Sequence, residues 1–281
     1  MAEPRNSDRD ADLPPLRDII QRYDLRAQKS LGQHFLLDSN LTARIARQAG
    51  NIETMNILEI GPGPGGLTRA LLAEGAKSVT AIEKDRRCVD ALTHLTDAYP
   101  DRLVVQEADA LRYDVTGIPG PRMIVSNLPY NISAPLIIKW LGAIKGLERL
   151  VIMVQKEVAD RLAAPAGGKT YGRLSVITQW LCEVDIAFNV DPRAFTPPPK
   201  VVSSVVVMKP RPEPLAPASW RHLEAVTAAA FNQRRKMLRA SLKAMKFDFE
   251  ALEIAPTARA EELSVPEFCR LARALEASTD N

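Results

Sequence analysis

Short apolar runs alternate along this chain with stretches whose apolar residues recur every three to four positions. The runs at 56–60, 79–83, 103–107, 123–126 and 150–154 have the length of buried strands. The stretches between them have the period of helices, as does 39–49 ahead of the first run, with Leu41, Ile45, Ala46 and Ala49 on one face. Strands that alternate with helices make a mostly parallel sheet covered on both faces, because parallel neighbours need a long crossover between them. Two later runs, at 184–190 and 201–208, are joined only by the proline-rich DPRAFTPPPK. That link is too short for a helical crossover, so the sheet is expected to end in an antiparallel hairpin.

From Pro210 onward the prolines of KPRPEPLAPASW mark a linker, and only helical patterns follow. Ser264 and Glu267 have capping-box spacing ahead of a stripe of Phe268, Leu271 and Leu275. The expected organisation is a disordered tip at 1–12, a sheet domain with an N-terminal extension at 13–209, and a helical domain at 210–281.

The chain has 281 residues, 46% of them hydrophobic and 25% charged, with a formal net charge of +3, which describes an ordinary globular protein of one or two domains. No apolar run approaches the roughly 18–20 residues of a membrane span, and the opening MAEPRNSDRDAD is not a leader pattern. Cys88, Cys182 and Cys269 are far apart with no CxxC pair, and His34, His94 and His222 show no ligand spacing. Neither disulfides nor a metal is therefore expected, and a reducing cytoplasm is the expected location. A charge of +3 leaves the partner open, since placement rather than sum decides phosphate binding.

The segment ILEIGPGPGGLTRAL joins the first strand to a helix through Gly61, Gly63, Gly65 and Gly66. Such a turn lets a ligand approach the main chain and offers it unpaired helix N–H groups. The next strand ends in Glu83, placed to accept from two ribose hydroxyls. Taken alone, Gly61, Gly63 and Gly66 with an acid about 20 residues on also satisfy a dinucleotide fingerprint. Three features weigh against a dehydrogenase. Glu59, two residues before the first glycine, resembles an acid of S-adenosylmethionine-dependent methyltransferases that lies near the cofactor's amino-acid end. The third strand leads to Asp109, whose carboxylate can accept from an adenine amine. The fourth ends in Asn127, Leu128, Pro129 and Tyr130, at the edge where open α/β sheets bind ligands.

That tetrapeptide suits methylation of an exocyclic amine, a poor nucleophile whose lone pair is delocalised into its ring. The Asn127 side-chain oxygen and a backbone carbonyl made rigid by Pro129 would each accept one N–H, favouring a tetrahedral nitrogen aimed at the methyl donor. Tyr130 can stack on a base drawn out of its helix. Phe195, in the hairpin connection, is either a second ring that sandwiches the base or an apolar plug under a proline loop.

The ordered set QKSLGQHFL, LEIGPGPGGLT, NLPYNIS, QKEVADRL, YGRLSV, FTPPPKVVSSVV and FNQRRKMLRASLK closely resembles the bacterial small-subunit ribosomal RNA adenine dimethyltransferases, from about residue 16 to 275. The resemblance implies a Rossmann-like methyltransferase domain with a small all-helical C-terminal domain. It implies transfer of two methyls from S-adenosylmethionine to N6 of each of two adjacent adenosines in the 3′-terminal hairpin loop of 16S rRNA, in the immature 30S subunit, leaving S-adenosylhomocysteine. It also implies that His34 and Leu36 lie against the cofactor, with Glu59, Gly61, Gly63, Glu83, Asp109 and Asn127 completing its site. His34 stands where relatives often carry Asn. The nearest rival is a large-subunit rRNA methyltransferase, against which QKSLGQHFL and YGRLSV argue. A DNA adenine methyltransferase and an assembly factor that only binds the subunit are further alternatives. A monomer with no membrane partner is expected.

The stretch 225–247 holds Arg234, Arg235, Lys236, Arg239, Lys243 and Lys246 and no acid. Read as one helix, it sets all of these but Arg234 on one face beside a stripe of Phe231, Leu238, Leu242 and Met245. Such a face is either simply solvated or an RNA contact, and the resemblance implies the contact. Arg17, Arg22, Arg26 and Lys29 would extend it.

Overall fold

A computed structural model describes residues 13–28 and 31–279, so the expected tip at 1–12 and Lys29 lie outside the described residues. The chain forms two compact units, Met1–Lys156 with Asp185–Lys209, and Glu157–Val184 with Pro210–Asn281.

The first unit carries α1 (Leu16–Arg22), β1 (Phe35–Leu36), α2 (Ser39–Arg47), β2 (Asn56–Ile60), α3 (Gly66–Ala73), β3 (Ser78–Glu83), α4 (Arg86–Ala91), α5 (Thr93–Ala98), β4 (Leu103–Glu107), β5 (Arg122–Asn127), α6 (Ser133–Gly142) and β6 (Leu147–Gln155). After the second unit's first segment come β7 (Cys182–Val190), β8 (Phe195–Thr196) and β9 (Ser203–Pro210). The seven long strands form one sheet in the order β4-β3-β2-β5-β6-β9-β7. The first five run parallel, and β9 runs antiparallel to β6. On the far side of β9, Asn189 accepts from Ser204 Oγ and the Leu181 carbonyl from the Arg211 N–H, so the partner numbers run in opposite senses, as in the expected hairpin. All five residues of β2 are buried, as a central strand covered on both faces requires. The chain steps outward from β2 through β3 to β4 and then returns to β5 on the other side. The ligand crevice of an open sheet forms at such a reversal.

A second, two-stranded sheet is too short to leave a pattern in the sequence. In it β1 and β8 pair antiparallel, Phe35 with Thr196 and Leu36 with Phe195. It ties the N-terminal extension to the connection before β9. The extension is held again where Arg69 Nη1 donates to the Pro14 carbonyl at 2.7 Å.

The second unit holds α7 (Lys156–Leu162), α8 (Arg173–Leu181), α9 (Trp220–Asn232), α10 (Leu238–Ser241) and α11 (Val265–Thr279). A single boundary near residue 210 was expected, with 157–184 in the sheet domain; instead this segment clusters with the C-terminal helices. The reason is its composition. Leu174, Val176, Ile177, Trp180 and Leu181 are all buried, and a helix apolar on nearly every side needs helical neighbours around it. It packs on α9 and α11, Trp180 Nε1 donates to the Ala216 carbonyl at 2.8 Å, and Arg173 pairs with Glu224 at 2.6 Å. Phe231 sits between Phe268, stacked at 5.4 Å, and Tyr171, edge-on at 6.1 Å. At α11 half of the expected capping box forms, with the N–H and the hydroxyl of Ser264 both donating to Glu267 Oε2.

The single basic helix over 225–247 does not form. The α9 helix ends at Asn232, Met237 makes an antiparallel bridge with Arg259, and Leu238 N–H donates to the Ala258 carbonyl. Those bonds, with burial of Leu238 and Leu242, outweigh continuing the helix. Arg234, Arg235 and Lys236 thus lie on a turn, Arg239 on α10 and Lys243 on the 3₁₀ turn after it, all exposed. Arg234 is also a tether, since its Nη2 donates to the carbonyls of Lys169 and Tyr171.

Candidate active site

The carboxyl ends of β2, β3, β4 and β5 open on one cleft, roofed by residues 31–36 of the N-terminal extension. His34, Leu36, Glu59, Gly61, Gly63, Glu83, Asp109 and the whole of Asn127–Tyr130 line it. Phe195 does not. The glycine turn follows β2, and Gly63 adopts φ +56°, strained for any L side chain. At Gly66 the need is closeness, for a Cβ there would lie 2.6 Å from the Leu36 carbonyl oxygen of the roof. Gly61 N–H donates to the Ile82 carbonyl, fixing the turn to β3.

Each carboxyl has a distinct environment. Glu83 is buried, and burial raises its pKa against three backbone donors: Gly63 N–H at 3.1 Å on Oε2, with Lys84 and Asp85 N–H at 2.7 and 2.8 Å on Oε1. Its orientation is thus set by the main chain. Glu59 is 1% exposed, and burial pushes its carboxyl up to about 8, with Thr68 Oγ1 donating to Oε2 at 2.7 Å and opposing the rise. At neutral pH it is mainly the protonated acid. Asp109 is held below the usual carboxylate range by the Lys84 ammonium, 2.9 Å from Oδ2, and by Leu111 N–H on Oδ1.

At the end of β5, the Leu128 N–H donates to the Met153 carbonyl of β6 and holds the loop in line with the strand. Asn127 Nδ2 donates to the His34 backbone carbonyl at 3.2 Å, leaving Oδ1 as the acceptor end of the amide. No donor among the described residues reaches the Leu128 carbonyl. Tyr130 shares a 2.6 Å hydrogen bond with Ser203 Oγ, which fixes its ring against β9. Phe195 is 3% exposed within the apolar core, its ring edge-on to His34 at 6.4 Å. Pairing of β8 with β1 sets it opposite Leu36 of the roof.

Three contributors carried no signal in the sequence. Thr68 is an ordinary helix residue until packing sets it against Glu59. Lys84 follows Glu83 directly, but nothing in its type says that it turns to Asp109. Lys139 of α6 donates to the carbonyls of Leu111 at 2.8 Å and Tyr113 at 2.6 Å, and more distantly to that of Ala110. It thereby shapes the loop after Asp109, and backbone acceptors have no sequence signature.

The Glu59 environment has a measurable consequence. A carboxyl whose folded pKa is raised from 4.5 to about 8 favours the folded state fully below 4.5, and that contribution is lost as pH rises towards and through 8. Glu59→Gln keeps an acceptor for Thr68 and has no proton to lose. Denaturant titrations of the ligand-free protein should show wild-type stability falling across this window and the variant's falling less, with the Glu83 contribution remaining. Equal pH slopes would contradict this assignment.

Among the described residues no group of three or more His, Cys, Asp and Glu side chains is placed to hold a metal ion, and no helix is long and apolar enough to cross a membrane. The family profile for ribosomal RNA adenine dimethylase matches residues 24–277. A protein of Paramagnetospirillum magneticum named ribosomal RNA small subunit methyltransferase A is 60% identical over 273 residues, which cover 96% of this chain and 97% of that one. One of the same name from Rhodospirillum rubrum is 59% identical over 271 residues, covering 95% and 94%. Among solved structures, a dimethyladenosine transferase from Plasmodium falciparum matches with a TM-score of 0.77 at 26% identity, over 88% of this chain and 98% of that one. The 23S rRNA methyltransferase ErmE matches with a TM-score of 0.68 at 28% identity, over 86% and 99%. The mostly parallel sheet expected from the strand pattern and the Rossmann-like methyltransferase fold implied by the resemblance are therefore the fold observed. With a matched span that runs through both units, this chain belongs to the ribosomal RNA adenine dimethylase family.

Proposed function

We propose that this chain transfers methyl groups from S-adenosylmethionine to N6 of two adjacent adenosines in the 3′-terminal hairpin loop of 16S rRNA. It does so on the immature 30S subunit, in the cytoplasm, as a monomer, and releases S-adenosylhomocysteine. The observation that carries this reading is the Asn127 amide, oriented by the His34 carbonyl so that an acceptor faces the cleft beside the Leu128 carbonyl. The names of the relatives at about 60% identity support the small-subunit substrate.

The cleft suits the proposed donor, because its glycine turn brings main chain to the ligand without an intervening Cβ and Glu83 and Asp109 offer acceptors at successive strand ends. When bound, S-adenosylmethionine supplies an electrophilic methyl on its sulfonium sulfur. Glu83 accepts from the ribose hydroxyls, Asp109 from the adenine amine, and Glu59 lies towards the amino-acid end. Asn127 Oδ1 and the Leu128 carbonyl each accept one N–H of the target N6 and leave its lone pair free. Rigid placement lowers the barrier because the acceptors need not reorganise during the reaction. As N6 takes the methyl it becomes acidic and gives up a proton, so no strong base is required at the outset.

The exposed cations Arg235, Lys236, Arg239 and Lys243, with Arg234 beside them, supply phosphate contacts on the second unit. In a salt titration of small-subunit binding, Arg235→Ala and Lys236→Ala should each lower affinity and reduce the slope by about one, with donor affinity retained. Arg234→Ala should also destabilise the second unit, because two carbonyls lose their donor. An unchanged salt slope would remove the RNA role. The function itself is tested by supplying labelled S-adenosylmethionine with unmethylated 30S and 50S subunits and mapping the label. Dimethyladenosine pairs near the 3′ end of 16S rRNA are expected, and label in 23S rRNA alone would overturn the reading.

A further inference from the structure

Behind the cleft, one ammonium group is committed wholly to main chain. Lys139 lies in the last turn of α6, the helix that starts just after the Asn127–Tyr130 loop. The residue is half-buried, and its Nζ reaches away from its own helix to three carbonyl oxygens of another segment, those of Tyr113 at 2.6 Å, Leu111 at 2.8 Å and Ala110 at 3.4 Å. An ammonium has three N–H donors, and these three acceptors take them all. Lys139 does not itself line the cleft. Any part it has in ligand binding is therefore exerted through the segment it holds.

That segment carries Asp109. The Arg112 and Tyr113 N–H groups donate to the Asp109 carbonyl at 2.9 and 3.1 Å and close a turn. Within it, the peptide between Ala110 and Leu111 has its oxygen towards Lys139 and its N–H on Asp109 Oδ1, at 3.0 Å. Lys84 Nζ lies 2.9 Å from the other oxygen, Oδ2. A carboxylate has about four acceptor positions, so two remain for a ligand, and their direction is fixed. Beside it Leu111 lines the cleft and is 40% exposed, an apolar surface next to a polar acceptor. A flat ring that carries an amine on its edge fits both. The sheet alone does not fix this segment, because β4, the strand that leads into it, is an edge strand paired only with β3.

Resting on the assignment of this cleft to S-adenosylmethionine, we propose that Lys139 is the positioning residue for the donor's adenine ring, and that through Asp109 it sets the preference for a 6-amino over a 6-oxo purine. Without the ammonium, three carbonyls lose their donor, the turn relaxes, and Asp109 and Leu111 move with it. The compact charge of a lysine suits three oxygens that converge on one atom, whereas the planar fork of an arginine spreads its donors. The donor's two ends are thus held differently. Glu83 at the ribose is oriented by backbone N–H groups next to it, and Asp109 at the adenine by a side chain thirty residues further along the chain.

Calorimetric titration of the full chain with S-adenosylhomocysteine and with its 6-oxo analogue, S-inosylhomocysteine, tests this without RNA. The unsubstituted chain should prefer the amino compound. Lys139→Met keeps the side chain's length and removes its charge; it should weaken S-adenosylhomocysteine by about tenfold, the worth of one hydrogen bond to a charged group. The 6-oxo analogue should weaken by at most about threefold, so the preference shrinks, which a general loosening of the fold would not produce. In an Asp109→Ala background, Lys139→Met should likewise weaken S-adenosylhomocysteine by at most about threefold, because the contact it positions is gone. Lys139→Gln, which retains one donor group, should fall between the unsubstituted chain and Lys139→Met, and serves if Lys139→Met does not fold. Unchanged affinity in these variants overturns the proposal, as does an equal loss for both ligands or a tenfold loss that persists without Asp109. If the unsubstituted chain binds S-adenosylhomocysteine with no preference over the 6-oxo analogue, the positioning role fails and the donor assignment stands. If it binds neither compound, the functional reading fails and Lys139's role with it.

Discussion

The register of the parallel strands is the constraint on which the cleft depends. Ile60 pairs with Ile82, Glu83 with Glu107 and Asn127 with Met153, so the chemistry-bearing side chains emerge at one edge of one sheet. A slip of one residue in β3 would send Glu83 to the opposite face and leave the Gly63 N–H without its acceptor. What forbids the slip is burial on both faces, since every residue of β2 and the last three of β3 are inside. Hydrophobic packing far from any ligand therefore sets the position of charged groups that meet one.

On that edge lies a second constraint of a different kind, a main-chain approach with no side chain between. The absence of a Cβ at Gly66 lets the Leu36 carbonyl come down on the glycine turn, and the pairing of β1 with β8 carries the hairpin connection with it. The roof then does more than cover. Through its carbonyl, His34 turns the Asn127 amide so that the oxygen is left as its free end, as the proposed reaction requires, and through its ring it meets Tyr130. An amide turned the other way would present a donor to a donor. Motifs nearly a hundred residues apart act as one group because these two backbone approaches bring them together.

Sequence patterns reveal some of this and conceal the rest for physical reasons. The strand ends, the glycine turn, Glu83, Asp109 and the Asn127–Tyr130 loop are legible because parallel strands are long apolar runs and chemistry collects just after them. A two-residue pairing such as β1 with β8 has no period to detect, so the burial of Phe195 was open between two alternatives. The helix at 173–181 falls within the span read as sheet domain, since apolarity on all sides says that it is buried but not against what. The break after Asn232 was hidden because the residues there are adequate helix formers, and the Met237–Arg259 bridge that ends the helix involves a segment more than twenty residues away. Lys139 stayed invisible because its partners are carbonyls, which every residue has.

The central claim is that Asn127 acts on the acceptor nitrogen in the transition state, with the donor held mainly by other groups. Single-turnover methyl transfer to unmethylated 30S subunits by Asn127→Ala, at saturating S-adenosylmethionine and alongside the donor's dissociation constant, tests it most directly. The account predicts a rate lowered by about 10²–10³-fold, the usual loss of one preorganised electrostatic contact, with donor affinity changed only a few-fold. A rate close to wild type, or a loss fully explained by weaker donor binding, would contradict it.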